Sequence, residues 1–433
     1  MNIKKLIDEN PLGPLQFLVF YQCFVLNMLD GMDVQAIAYS APEISKEWAI
    51  NPQTLGIVFS AALVGMTIGA MFISPFTDRI GRRKMILLSL IMIGVGMIGS
   101  SFAQTIDHLV VLRLLTGLGI GSILASSTSM VAEFAPGRVR NVCITIYHSG
   151  YPIGAIVTGL VATWLIPAYG WRPLFMLAGV ISLAMLPLVY LYLPESVEFL
   201  LTRRPPRTLE RINEIMRRMG HPVMEELPPQ EAKQHSVVGG VGALLQDGRA
   251  VSTLLLWLAF FMSFAALYFL FSWVVKLAND SGLPIDDAMY AGIAMNMGAF
   301  CGSISLGYYS GSTGLKKIIF LYFIGAVCMI IPYGFIKGSV PTILTMIFVL
   351  MLFVQGAFAG LYVVAARLYP TEIRTTGVGW AIGAGRFGAV FGPAAAGFML
   401  GAGLSISWTF AVFAIPLALA GLTIINLHSE HID

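Results

Sequence analysis

Asp30 and Asp33 stand three residues apart inside a long apolar stretch, where an ionisable side chain is costly enough to need a reason. On a helix they project about 60° apart around the axis, so both can face one cavity. Two acids so close in a medium of low dielectric cannot both be ionised cheaply, which suits the pair to holding and releasing a proton. The bland reading is that they and Gly31 only shape and orient the helix, paired to a cation. Arg113 is a cation at matching depth. It lies about four residues inside the outer end of its stretch and Asp33 about seven inside its own, a difference of roughly 5 Å at about 1.5 Å per residue. An Asp33 to Arg113 ion pair is the expected contact at those depths. A guanidinium snorkelling to the nearby interface is the alternative.

Arg386 sits near the middle of another apolar stretch, too deep to snorkel comfortably. Its natural partner is a carboxylate, either of a substrate or of Asp30 and Asp33. His148, with Tyr147 and Tyr151 about one turn apart, can stack on a ring and hydrogen-bond a phenol, or be a core histidine. Asn296 and Gln355 are further intramembrane polar candidates, and Phe264, Tyr268 and Trp273 can form an aromatic wall or simply pack. A second cluster, Asp78-Arg79-Ile80-Gly81-Arg82-Arg83-Lys84, puts one acid, one turn glycine and four cations in a short loop. Asp78 can sit at the positive end of a neighbouring helix while the arginines engage acids across the halves. With Glu133, Arg138, Glu372 and Arg374 it is expected to form a gate rather than a binding site. Cys23, Cys143, Cys301 and Cys328 show no metal-ligand spacing. With no Walker loop, metal cluster or nucleophile motif, no cofactor, enzyme activity or ATP-driven step is expected.

The elements that position these residues follow from composition. Of 433 residues 57% are hydrophobic and 11% charged, so the solvent for most of the chain is lipid. Windows of about 20 apolar residues recur at 15–40, 54–75, 85–104, 109–132, 141–168, 172–193, 251–278, 288–309, 317–336, 341–366, 376–400 and 405–427. The first is too long and polar for a cleavable signal. The expected fold is an all-α membrane protein with twelve transmembrane helices in two six-helix bundles, residues 1–193 and 251–433. A cytoplasmic linker, 194–250, contains an amphipathic piece from Thr208 to Met219 with Leu209, Ile212, Ile215 and Met216 on one face.

Loops numbered alternately place nearly all Lys and Arg on one side: Lys4, Lys5, Arg79 to Lys84, Arg138, Arg140, the arginines from Arg203 to Arg249 with Lys233, Lys316, Lys317, Arg367 and Arg374. Only Lys46, Arg172, Lys276 and Lys337 fall opposite. By the positive-inside rule both termini are cytoplasmic, in a multi-pass protein of the inner membrane. A duplication is also visible: Ala132-Glu-Phe-Ala-Pro-Gly-Arg-Val-Arg140 resembles Ala366-Arg-Leu-Tyr-Pro-Thr-Glu-Ile-Arg374 at an offset of 234, a register that sets Gly154 opposite Gly388. Parallel repeats of this kind belong to two-halved transporters with a midplane site.

The loop from Asp78 to Lys84 resembles a signature of the major facilitator superfamily, with Ser74 where the family usually has Gly. Span four, Arg113-Leu-Leu-Thr-Gly117-Leu-Gly119-Ile-Gly121, and span five, with Tyr151-Pro-Ile-Gly154 and Gly159, follow the same resemblance. Asp30-Gly-Met-Asp33, Ala41-Pro42, Glu47-Trp48, Tyr369-Pro-Thr-Glu-Ile-Arg374, Gly377-Val-Gly-Trp380 and Gly385-Arg386-Phe-Gly388 resemble the aromatic acid:proton symporter family within it. The charged loop's counterpart, Gly307 to Lys317, lacks the Asp-Arg pair. The resemblance implies a monomeric secondary transporter that carries a small aromatic carboxylate, such as a benzoate, hydroxybenzoate or phenylpropanoate, with protons by alternating access, with spans one and four lining the cavity. Its partners are then that acid, protons and the lipid bilayer, with no nucleic acid. Pro194-Glu195-Ser196 resembles a motif of sugar-porter branches. A sugar, polyol or other organic-anion porter and a transporter-like membrane sensor are the rival readings.

Overall fold

A computed structural model of the chain describes residues 6–8, 10–228, 241–246, 248–336, 338–369 and 373–427, and among these there are helices and loops but no strand. The long helices, numbered in chain order, are α1 (Pro14–Trp48), α2 (Pro52–Ile80), α3 (Arg82–Ser101), α4 (Ile106–Phe134), α5 in two pieces (Arg140–His148 and Gly150–Tyr169) and α6 (Arg172–Tyr192). After the connecting segment come α7 (Ala250–Asp280), α8 (Ile285–Thr313), α9 (Leu315–Phe335), α10 (Val340–Leu368), α11 (Arg374–Gly401) and α12 (Ile406–Ile425). Eleven are long and apolar enough to cross a membrane, and α11, with 28 residues, is the twelfth expected span. Glu372 of the expected gate lies outside the described residues, as do Lys4, Lys5, Lys233 and Lys337.

Two boundaries differ from the hydropathy reading. Helix α1 continues through Pro42 to Trp48. Glu47 accepts hydrogen bonds from Trp171 Nε1 (2.7 Å) and Arg172 Nη1 (2.8 Å), and Trp48 meets Trp171 edge to face at 5.5 Å. These contacts hold an end that Pro42 and the charges beyond it mark as a stop. Within α2 the helix widens to a π turn at Gly69–Ile73 and tightens to a 3-10 turn at Ser74–Phe76, a local rewinding that often marks functional sites.

By contacts the chain falls into two units, Met1–Val34 with Val64–Gly154 and Leu174–Gln234, and Gln35–Leu63 with Ala155–Pro173 and His235–Asp433. In the first, α3 packs along α4, and α4 along the π turn of α2. The segment Thr208–Arg218 lies with Thr208, Ile212, Ile215 and Met216 buried, the expected apolar face shifted slightly so that Leu209 is only half-buried. Asn213 pins the chain beyond it through two 2.8 Å bonds with the Met224 backbone. In the second unit α8 packs along α10, α7 along α11, and α9 against α10 and α12.

The duplication is carried by backbone contacts. A side chain at Gly154 of α5 would collide with the Met28 carbonyl of α1, and one at Gly388 of α11 with the Phe261 carbonyl of α7. The two helix crossings are therefore built alike, with small residues letting backbones touch as they do inside membranes.

Candidate functional site

Asp30 and Asp33 lie in α1 and are 4% and 1% exposed. Gly31 between them admits the backbone of α5 at Tyr151, so the acids are set beside a close helix crossing. Neither oxygen of Asp33 accepts a hydrogen bond from the described residues. Arg113, expected to pair with it, is 1% exposed and turns instead toward α3 and α6. Its Nη2 donates to Ser100 Oγ at 3.1 Å, Thr116 Oγ1 at 3.2 Å and Met97 Sδ at 2.6 Å, and the guanidinium lies 4.8 Å over the Phe175 ring. No ion pair joins Arg113 to Asp33, although their charges are close enough to interact, as are those of Asp33 and Asp30. Nor does Arg113 snorkel. A buried ring face and three soft or neutral acceptors stabilise the cation in place.

Arg386 projects from the middle of α11 and is half-buried. It makes no hydrogen bond or ion pair with the described residues, and its charge reaches the Tyr362 hydroxyl of α10. Around it stand the rings of α7 and α10. Phe264 meets Phe358 at 4.7 Å nearly at right angles and stacks on Tyr268 at 5.9 Å, while Tyr362 meets Phe260 and Phe358 edge to face, each at 5.3 Å. Gly385 leaves the room that the Phe264 ring fills. Phe264 and Tyr268 are thus neighbours in one ring cluster, which also includes Tyr362, a residue that sequence reasoning missed. Its spacing from Gln355 and Phe358, seven and four residues, places all three on one helical face.

Trp273 departs from the expectation. It is 1% exposed, donates from Nε1 to the Pro393 carbonyl at 3.0 Å and meets Phe59 edge to face at 5.2 Å. With Ser60 Oγ bonded to the Val390 carbonyl at 2.8 Å, it joins α2, α7 and α11 rather than facing a ligand. Tyr147 is likewise buried, against the His148 ring at 4.7 Å, with its hydroxyl donating to the Leu124 carbonyl at 3.4 Å. The Tyr151 backbone nitrogen donates to Asn27 Oδ1 at 2.9 Å, next to the break in α5 at Ser149. Asn296 is fully buried and donates to the Gly292 carbonyl at 2.9 Å, while its Oδ1 and Gln355 Oε1 accept nothing from the described residues.

The charged loop forms a compact lock inside the first unit. Arg82 lies 3.2 Å from Asp78 and 3.4 Å from Glu133. Glu133 accepts the Ser196 hydroxyl, Arg203 Nε donates to the Asp78 carbonyl at 2.7 Å, and Arg79 lies 5.6 Å over Phe76. Glu195 Oε1 accepts the backbone N–H groups of Arg82, Arg83 and Ser196 at 2.8, 3.1 and 2.9 Å. Gly81, at φ 101°, has the left-handed backbone that turns the chain there. Arg138 is exposed. Its neighbour Arg140 pairs with Asp8 at 2.5 Å, and Arg374 donates to the Tyr369 carbonyl at 3.4 Å. Glu195, Ser196 and Arg140 are partners that the sequence reading missed; the Pro194-Glu195-Ser196 motif carried a signal for the first two.

A model of the major facilitator superfamily matches residues 23–362. The chain is 32% identical over 428 residues to the 4-hydroxybenzoate transporter PcaK of Pseudomonas putida, covering 98% of this chain and 95% of that protein. It is 31% identical over 440 residues to the gallate transporter of Pseudomonas putida (99% and 96% covered), and 28% identical to the benzoate transport protein of Acinetobacter baylyi (99% and 93%). Among solved structures, the inward open xylose transporter XylE from E. coli superposes with a TM-score of 0.74 at 17% identity, covering 96% of each chain.

Proposed function

The chain belongs to the major facilitator superfamily, in its aromatic acid:proton symporter family, and from that premise we propose that it takes up a small aromatic carboxylate together with protons. It is a multi-pass membrane transporter and not an enzyme. The carrying observation is Arg386: a guanidinium in the middle of a membrane-spanning helix, among rings, with no hydrogen bond or ion pair to the described residues. A cation at such depth costs roughly 2.5 to 3.5 kcal/mol, and a carboxylate on a ring offsets that cost while its ring rests on Phe264 and Tyr268. Asp33, buried with neither oxygen bonded and in the field of Arg113 and Asp30, is the proton carrier in this reading.

The residues assigned to the substrate are Arg386, Tyr268, Gln355, Asn296, His148 and Tyr151; Tyr147 and Trp273 support the walls. Asp78, Arg79, Gly81, Arg82, Glu133 and Arg374, with Arg138 and Glu372, belong to the gate. The halves 1–193 and 251–433, joined by the linker 194–250, alternate access to the site by rocking. The distribution of Lys and Arg favours cytoplasmic termini and the inner membrane, and the transporter works as a monomer. Because Glu195 and Ser196 are engaged with α3 and Glu133, their motif speaks for the gate and not for a sugar.

Uptake into proteoliposomes tests the reading. Labelled 4-hydroxybenzoate, gallate and benzoate should accumulate when an inward proton gradient is imposed, and xylose should not compete. Competition by sugars without competition by aromatic acids would overturn the substrate, and accumulation indifferent to the gradient would overturn the coupling.

A further inference from the structure

Tyr362 is held by two edge-to-face contacts of its ring, with Phe260 and Phe358, each at 5.3 Å and 85°. Two contacts nearly perpendicular to one ring leave its plane little freedom, so the phenol oxygen has a defined place. That hydroxyl makes no hydrogen bond with the described residues, although a tyrosine this deep usually finds a partner. The Arg386 charge reaches it from the neighbouring helix, yet the two are not bonded to each other. Arg386 brings five N–H donors and no acceptor, and a phenol brings one O–H. What both lack among the described residues is an acceptor, and one group with two oxygens can serve both.

We infer that Tyr362 is the second arm of a carboxylate clamp whose first arm is Arg386, its O–H donating to a carboxylate oxygen that the guanidinium fork also engages. A carboxylate presents about four lone-pair sites, enough for a two-pronged fork and one hydroxyl. The ring stack turns this into a selectivity device. Phe260 and Phe358 fix the phenol, so the third hydrogen bond forms only when the carboxylate lies in the plane set by Arg386, which favours a flat aromatic acid over one whose carboxylate sits on a flexible chain. The inference rests on the substrate reading of Arg386 given above. Tyr362 acts directly on the ligand, and its conservative replacement by Phe keeps both ring contacts.

Equilibrium binding of 4-hydroxybenzoate and of its uncharged carboxamide, 4-hydroxybenzamide, to the purified full chain separates the possibilities. Tyr362→Phe should weaken 4-hydroxybenzoate roughly tenfold or more, the loss of one hydrogen bond to a charged group, and should leave the carboxamide nearly unaffected. Equal loss for both ligands would mean that the hydroxyl does not single out the charged carboxylate, and unchanged affinity for the acid would mean that it is idle; either overturns the inference while the reading of Arg386 stands. If Arg386→Ala keeps full affinity for the acid, the reading itself falls, and the clamp with it.

Discussion

Glu195 Oε1 lies 2.8 Å from the backbone nitrogen of Arg82, so a residue just past the sixth helix caps the third. The same oxygen takes the next N–H, of Arg83, at 3.1 Å, and a carboxylate at a helix N-terminus also meets the positive end of its dipole. Glu195→Ala should therefore lower stability by about 0.5 to 2 kcal/mol, the usual worth of an N-cap, with Glu195→Gln intermediate. Gly81→Ala should cost more, because it adds strain at φ 101° and a clash with the same carboxylate. Thermal unfolding in detergent, followed by tryptophan fluorescence, ranks the three; a Glu195→Ala protein as stable as wild type would refute the cap.

Arg386 should matter to the loaded transporter and not to the empty one. A cation without a protein partner contributes little to folding, so Arg386→Ala should leave the melting temperature without ligand unchanged or slightly higher. Saturating 4-hydroxybenzoate, at about 100 times its Kd, should stabilise wild type by about 2.7 kcal/mol and the variant not at all. Loss of ligand-free stability in Arg386→Ala would point instead to a structural partner.

Asp33→Asn preserves shape and removes the carboxyl to which the proposed coupling assigns the proton. Exchange of internal for external 4-hydroxybenzoate should persist in proteoliposomes, because it needs no net proton movement, while accumulation driven by a pH gradient should vanish. A variant that still concentrates the acid in response to the gradient rules out Asp33 as carrier.

Arg113 and Asp33 carry opposite charges near each other without forming an ion pair. Arg113→Met removes the cation from the Phe175 ring and from three acceptors, and should destabilise by roughly 2 kcal/mol or more. If the remaining acid is part of that cost, adding Asp33→Asn should recover some of it, a non-additivity of about 0.5 to 3 kcal/mol for interacting residues. Strictly additive unfolding free energies would show the two sites to be independent.

The spans were legible because about 20 apolar residues are what a bilayer requires, and the Gly154 to Gly388 register was legible because backbone contacts between membrane helices tolerate only small residues there. The charged cluster was legible in one loop but its partners were not: its arginines were expected to reach acids across the halves, and Arg82 instead lies beside Asp78 and Glu133. Arg113 was not readable. Depth along two helices brought it level with Asp33, but the choice among partners depends on Met97, Ser100 and Phe175 of two other helices, and sequence spacing is silent about direction across a bundle. Trp273 misled for the same reason: an aromatic in a span reads alike whether it lines a cavity or, as here, meets Pro393 and Phe59. Tyr362 was overlooked among the many aromatic residues because nothing marks one until its neighbours are known.

The paired crossings have a consequence for how one ancestral segment came to serve two purposes. At the first, glycine on α1 faces Tyr151 of α5; at the second, glycine on α11 faces Phe264 of α7. In the shared register Tyr151 of one copy is matched by Gly385 of the other, while Gly31 is matched by Ala265, which is also small. A crossing of this kind asks only that one of the two be small, and leaves drift free to decide which. That freedom leaves room for acids beside Gly31 in one copy and for a guanidinium beside Gly385 in the other without dismantling the joint.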